Sequence, residues 1–333
     1  MTTTCGNNRL HSLLLGMALL LLQCARNVCH AQEVCGINIC AAGTPCCNPS
    51  CGICGEYCTQ QFCGPMYSCF SSLSTVDVLN QGQTSMAELQ VGDRVLTSTG
   101  KYKSVYAFGH HDTTTPTTFL KIKTSLSDES LAGNATTSND LEISPRHYVY
   151  ASKRDRIRAT IESSASLGYR PFAAEEIRVG DLLETPNGKG ARVVHIEPVQ
   201  RRGMFAPFST DGTVVVDGII ASSYVSLGEL GINLPFVEAT SISHLALAPF
   251  RLLCTKVSSS ACEYYNDDGI PHALSLLLKF FRGILNTGSQ WLYGLAALSY
   301  LGLATLAWLA ECLLSFTGLL VVPLALVAVS GAS

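Results

Sequence analysis

Eight cysteines, Cys35, Cys40, Cys46, Cys47, Cys51, Cys54, Cys58 and Cys63, fall within 29 residues, and Cys69 follows just outside the cluster. An even set can pair completely, and four bridges admit many connectivities that spacing does not distinguish. Cys69 is then the odd one. A left-over cysteine in a disulfide-rich chain is either an intermolecular bridge or a reactive thiol. A reactive Cys69 has a substrate next to it, the carbonyl of Ser68. Attack through a five-membered ring would turn the Ser68–Cys69 amide into a thioester. A thioester is the better acyl donor, so one hard cleavage becomes two easier ones. The thiol must lose a proton to attack, and the amine must gain one to leave. Histidine suits both transfers because its pKa lies near neutrality.

Large apolar residues are sparse between the eight cysteines, where Gly, Pro and Asn predominate. Such a segment cannot bury enough surface to fold unaided, so disulfides must stabilise it. Cys51-Gly-Ile-Cys54 also has zinc-ligand spacing, although the adjacent Cys46 and Cys47 and a secretory context favour bridges.

The ends of the chain explain why charged residues are only 14% of its 333. Arg9 and His11 precede an apolar run, Leu13–Leu22, and Cys29-His30-Ala31 offers a cleavage site. Residues 1–31 therefore read as a secretory signal. Asn134-Ala135-Thr136 is then an acceptor pattern for glycosylation. From Trp291 to Val329 the sequence is almost wholly apolar, with Glu311 its one formal charge. It is long enough for a tilted transmembrane helix or for two short spans. The cost of a carboxylate in lipid favours Glu311 at an interface, hence a hairpin. The net charge of −3 gives no reason to expect a nucleic-acid partner.

Between these ends, residues 69–226 look all-β. Arg94–Leu96, Phe119–Ile122, Leu141–Ile143, Tyr148–Ala151, Arg192–Ile196 and Thr213–Val216 are short strand-like runs separated by turn residues. Glu88-Leu89-Gln90-Val91-Gly92-Asp93 recurs as Glu176-Ile177-Arg178-Val179-Gly180-Asp181, which points to a duplicated β unit related by a pseudo-twofold axis. Ser125–Asn139 reads as an exposed polar loop. Residues 227–290 read as a linker. Pro235–Ile242 is irregular, a helix starts within His244–Cys254, and His272–Leu285 forms an amphipathic helix suited to a membrane surface. Cys254 and Cys262 pair most simply with each other.

Cys69-Phe70 with Ser74-Thr75-Val76, the Glu88–Leu96 block, Ser144-Pro145-Arg146-His147, Ala206-Pro207-Phe208, Gly212–Gly218 and Ala221-Ser222-Ser223-Tyr224 resemble, in order and interval, the blocks of a Hedgehog-type Hint self-processing domain. His244–Arg251 is similar to a segment that follows the Hint core in Hedgehog proteins. The eight-cysteine segment, 32–68, does not resemble the Hedgehog signalling domain. The resemblance implies a mainly β, pseudo-twofold Hint fold of the Hedgehog and intein kind, placed after a disulfide-rich module and before C-terminal hydrophobic helices. It implies autoproteolysis with Cys69 as nucleophile, His147 in proton transfer and Ser144 bonded to the scissile peptide.

Three positions depart from the family pattern. Ser68 stands where Hedgehog proteins usually carry glycine. His110 stands where they carry the aspartate that activates the sterol hydroxyl; Asp112, two residues on, could substitute for it, or His110 could itself act as the base. Ser223 stands in place of a late cysteine. Inteins ligate at a C-terminal Asn–nucleophile junction, which does not directly follow the block ending at Tyr224, so splicing is not expected. The expected outcome is release of Gln32–Ser68 by transfer to a sterol or other lipid, or to water, with no cofactor. A membrane lipid and a receptor for the released peptide are the expected partners.

Overall fold

The structure, a computed structural model, describes residues 69–125, 138–153, 168–188, 190–225, 239–286 and 290–330, together with four short strands between residues 34 and 54. The signal segment, Ser68, Asn134 and most of the cysteine-rich segment lie outside the described residues. Within that segment, β1 (Val34–Cys35) pairs with β2 (Asn38–Ile39), and β3 (Cys46–Asn48) pairs with β4 (Ile53–Cys54).

Residues 69–225 form an antiparallel sheet of eleven strands. They are β5 (Thr75–Val78), β6 (Gly82–Ser85), β7 (Arg94–Leu96), β8 (Tyr102–Ser125), β9 (Ser138–Ile143), β10 (His147–Ser152), β11 (Arg170–Ala173), β12 (Leu182–Leu183), β13 (Ala191–Ser209), β14 (Thr213–Val216) and β15 (Ile219–Val225). The path runs β11-β10-β12-β13-β8-β7-β5-β14-β15, and β10 also pairs with β15, closing the circuit. Closure leaves few unpaired edges. Alternation turns Val76, Val78, Val95, Ile122, Leu141 and Ile143 into one core with Phe70 and Phe205. The polar stretch read as a loop over Ser125–Asn139 is shorter than expected. Ser125 pairs with Ser138 and Thr124 with Asn139, because β8 and β9 extend their ladder to these residues.

The sequence repeat is a repeat of hydrogen bonds. Gly92 donates to the Val105 carbonyl and Gly180 to that of Val193, each at 2.8 Å. Val105 donates to Asp93 and Val193 to Asp181, at 2.8 and 2.9 Å. The Asp93 carboxylate accepts from the Gln90 amide, and that of Asp181 accepts from the Arg178 amide, both at 2.9 Å. Gly92 and Gly180 have φ of +98° and +96°, a region that costs glycine nothing. Leu89 and Ile177 fill equivalent buried positions.

A two-residue turn at Asp217-Gly218, with φ of +49° and +77°, joins β14 to β15. Asp217 Oδ1 accepts from the Thr75 amide at 2.7 Å and from its hydroxyl at 3.0 Å, pinning the strand that follows Cys69. Burial pushes the Asp217 carboxyl up to about 6 despite these bonds. A raised carboxyl favours the folded state at low pH, and that contribution is lost as pH rises through about 6. Asp217→Asn is therefore expected to flatten the pH dependence of unfolding between pH 4 and 6. The difference is on the order of 2 kcal/mol, read from denaturation midpoints.

Beyond the sheet lie α1 (Ala239–Ala246), α2 (Ala248–Leu252), α3 (His272–Asn286) and α4 (Gln290–Ser330). Helix α1 thus covers four residues of the segment read as irregular. Cys254 and Cys262 are disulfide-bonded and share a buried cluster with Tyr106, Phe208, Tyr224 and Phe250, which seats these helices on the sheet.

Helix α4 is continuous through Glu311, which corrects the hairpin reading. The carboxylate needs no turn to reach water, because the Arg251 guanidinium grips it through two bonds at 2.7 and 3.0 Å. Ala304, Ala307 and Trp308 of α4 pack on Leu245 and Ala248. Gly294–Leu314 is long and apolar enough to cross a membrane.

Candidate active site

Phe70 exchanges two backbone hydrogen bonds with Phe205, at 2.8 and 3.1 Å, and this pairing sets Cys69 against the long β8–β13 ribbon. Cys69 is wholly buried beside Phe119, Met204 and Ala206. It is the free cysteine among the described residues. Burial, reinforced by the nearby charge of Asp112, pushes its thiol well above the ordinary range. The resting group is therefore SH, and attack requires a base.

Ser144 holds both backbone groups of Cys69. Its Oγ accepts the Cys69 amide at 2.7 Å, and its own amide donates to the Cys69 carbonyl at 2.9 Å. The nitrogen of the Ser68–Cys69 peptide is thus fixed. The turn continues to His147, whose amide donates to the Ser144 carbonyl at 3.1 Å. The His147 ring is fully buried, 4.3 Å between centroids from Phe70. Its Nε2 lies 2.7 Å from the Ser222 carbonyl. A carbonyl only accepts, so Nε2 carries the proton and the tautomer is set.

The histidine that reaches the sulfur is His110. Its Nδ1 lies 3.4 Å from Cys69 Sγ, and its Nε2 lies 2.7 Å from the Asp268 carbonyl. The carbonyl again requires Nε2–H, so Nδ1 faces the thiol as a proton acceptor. Burial lowers the His110 pKa below the usual histidine value, partly offset by the Asp268 bond, so the ring is neutral at pH 7.

A bulge aims this ring inward. Phe205 pairs with His111 and Pro207 with Phe108, so two residues of β8 oppose Ala206 alone. Only glycine fits at 109, where a Cβ would stand 2.2 Å from the Phe208 ring. Glycine at 203 has φ of +85° at the adjacent irregularity. A glycine inside a strand was the sequence signal for this distortion.

Asp112 is tied into a turn. Its Oδ1 accepts the amides of Thr114 and Thr115, at 2.7 and 3.0 Å, and the Thr115 hydroxyl bonds its second oxygen. Burial works against the ionised form, but these bonds outweigh it and hold the carboxyl well below the usual range. Asp112 therefore closes a turn as a permanent anion. Ser223 is engaged with residues 209 and 212. Its Oγ accepts the Ser209 amide at 3.2 Å, and its amide donates to the Gly212 carbonyl. Its neighbour Ser222 serves His147 instead, through a main-chain carbonyl.

The Asp268 carbonyl was not foreseen. It belongs to a segment read as linker, and a main-chain acceptor leaves no residue-type signal. Among the described residues, no group of His, Cys, Asp and Glu is arranged to hold a metal.

A family model described as the Hint module matches residues 61–285, more than half of the chain. Protein hedgehog of Drosophila virilis is 25% identical over 201 residues, 59% of this chain and 36% of the relative. Tiggy-winkle hedgehog protein of Danio rerio is 26% identical over 246 residues, covering 69% and 52%. The chain thus spans roughly a third to a half of the length of these curated relatives. Among solved structures, the gp41-1 intein aligns at 15% identity with a TM-score of 0.33, over 47% of this chain and 98% of its own. A bacterial intein-like domain from Clostridium thermocellum aligns at 16% and 0.33, over the same shares. The antiparallel, duplicated β domain that begins at a buried free cysteine belongs, with the residues that follow it, to the Hint module family.

Proposed function

We propose that this chain cuts itself once at Ser68–Cys69 and releases its cysteine-rich segment, Gln32–Ser68. One observation carries the reading. Cys69 Sγ meets a histidine nitrogen at 3.4 Å while the nitrogen of the same residue is held at 2.7 Å by Ser144. Both ends of an N-to-S acyl shift are thereby positioned. The sulfur adds to the Ser68 carbonyl carbon as its proton passes to His110 Nδ1. The C–N bond breaks, and the Cys69 nitrogen takes a proton and leaves as an amine. His147, on the turn that carries Ser144, is the group assigned to deliver that proton from Nδ1, after taking one there from solvent as His110 returns the sulfur's proton to solvent. The proton lost by sulfur balances the one gained by nitrogen, and a Ser68 thioester on Cys69 results.

A hydroxyl then attacks the thioester and returns the Cys69 thiol. The preferred acceptor is the hydroxyl of a sterol or other membrane lipid, with water competing. Leu276 and Phe280 on α3 and Leu295 and Leu303 on α4 stand exposed, an apolar surface beside the domain that supports a lipid acceptor. In this reading residues 1–31 direct the chain into the secretory pathway, and the C-terminal part stays at the membrane. The released peptide is secreted or held at the cell surface, where it meets a receptor.

The test is the intact mass of the N-terminal fragment after incubating the full chain in cholesterol-containing vesicles. A fragment ending at Ser68 with an added sterol mass supports lipid transfer. A free acid assigns the second step to water. An uncut polypeptide carrying both segments contradicts the reading.

A further inference from the structure

The loop that holds His110 comes from residues outside the β domain. Cys262, disulfide-bonded to Cys254, begins a strap that runs back along β8. Tyr265 stacks on His111 with ring centroids 5.2 Å apart and planes 26° from parallel, and its backbone bridges to Pro271. The Gly269 carbonyl accepts from the His111 amide at 2.8 Å, and the Asp268 carbonyl meets His110 Nε2 at 2.7 Å. Gly269 has φ of +75°. A Cβ there would stand 2.8 Å from the His111 carbonyl oxygen and 3.0 Å from His110 Nε2. The strap thus lies on both histidines with no room for a side chain.

We infer that this strap, Cys262–Pro271, is a positioning element for the first step. Its Asp268 carbonyl fixes the His110 tautomer, and Gly269 permits the approach. The inference rests on the acyl-shift reading above. A free imidazole interconverts between two tautomers, and only the Nε2–H form presents a basic Nδ1 to the sulfur. The strap selects that form. It also raises the basicity of the ring, because accepting the Nε2 proton favours the imidazolium that forms when sulfur gives up its own. Thioester formation in this chain therefore depends on residues well beyond the last strand.

The test uses the full chain and hydroxylamine, which releases the N-terminal fragment from a thioester without reducing the disulfides. Gly269→Ala is expected to slow release at least tenfold and to move the pH inflection of the rate downwards, as His110 loses its carbonyl partner. Gly100→Ala is the control. Gly100 has φ of +68° with open space around its Cβ position, so it carries the backbone strain without the contact. Its rate should match wild type.

If Gly269→Ala does not fold, Tyr265→Leu removes the stacking and leaves the loop backbone free to form, with the same expected slowing. In the Cys69→Ala background, nitrogen-15 spectra should show His110 as the Nε2–H tautomer, and as a mixture once Gly269→Ala is added. Unchanged rate, inflection and tautomer in a folded strap variant overturn the inference while the acyl shift stands. Equal release from wild type and Cys69→Ala overturns the acyl shift itself.

Discussion

Cys69→Ala is expected to leave the chain at full length under every condition in which wild type yields two fragments. The expectation is all-or-none because, among the described residues, the other candidate nucleophiles are engaged elsewhere. Asp112 is locked in its turn by Thr114 and Thr115, and the Ser223 hydroxyl is engaged with Ser209. Ser144 Oγ already accepts the scissile nitrogen's proton. Removing one buried sulfur also leaves the fold in place, since Phe119, Met204 and Ala206 still line the cavity. The cost in stability is about 1–2 kcal/mol. A gel comparison of the two chains, with added thiol to resolve any thioester, reads the result.

His110→Ala is expected to slow thioester formation by roughly 10²–10⁴-fold, the usual size of a lost general base. The buried thiol titrates far above neutrality, so without Nδ1 few sulfurs are ionised at any moment. His110→Gln is a sharper probe. Its amide can still bond the Asp268 carbonyl but cannot take a proton, so rate should fall while the strap stays docked. The pH profile carries a sign. A base must be unprotonated to act, and burial has lowered the His110 pKa below its ordinary value. Wild type should therefore keep its rate below pH 6.5, where an exposed histidine would already be failing, and lose it only on further acidification. A rate that falls through the ordinary histidine value would assign the base to another group.

The two histidines divide what sequence can and cannot show. His147 sits in a Ser-Pro-Arg-His turn that resembles the family's second block, and the resemblance, not the spacing alone, singled it out together with Ser144. His110 is reached differently. Its orientation depends on a bulge across from Ala206 and on a carbonyl 158 residues away. Glycine inside a strand, as at 109 and 203, goes with local distortion, yet nothing in either glycine says where the ring points. The duplicated Gly-Asp turns were readable because a positive φ selects glycine and an Asx bond selects aspartate. Cys69 was readable as the cysteine that opens the blocks resembling a Hint domain, and it is the free cysteine among the described residues.

Long-range charge pairing was not readable. Glu311 looked like a reason for the apolar segment to turn, because its partner Arg251 lies 60 residues earlier on a helix that only the fold brings near. The same holds for the helical region after the sheet. Its short pieces are fixed less by their own periodicity than by seating Phe250 and Cys254 against Tyr106 and Phe208.

The most direct test of the central claim is to trap the acyl group. Treating the folded full chain with hydroxylamine at neutral pH, then sequencing the fragments by mass, shows which bond opened and how. A Ser68 thioester predicts an N-terminal fragment ending in a hydroxamate at Ser68, and a C-terminal fragment beginning with an unmodified Cys69. A chain that stays whole, or a hydroxamate at any other residue, contradicts it.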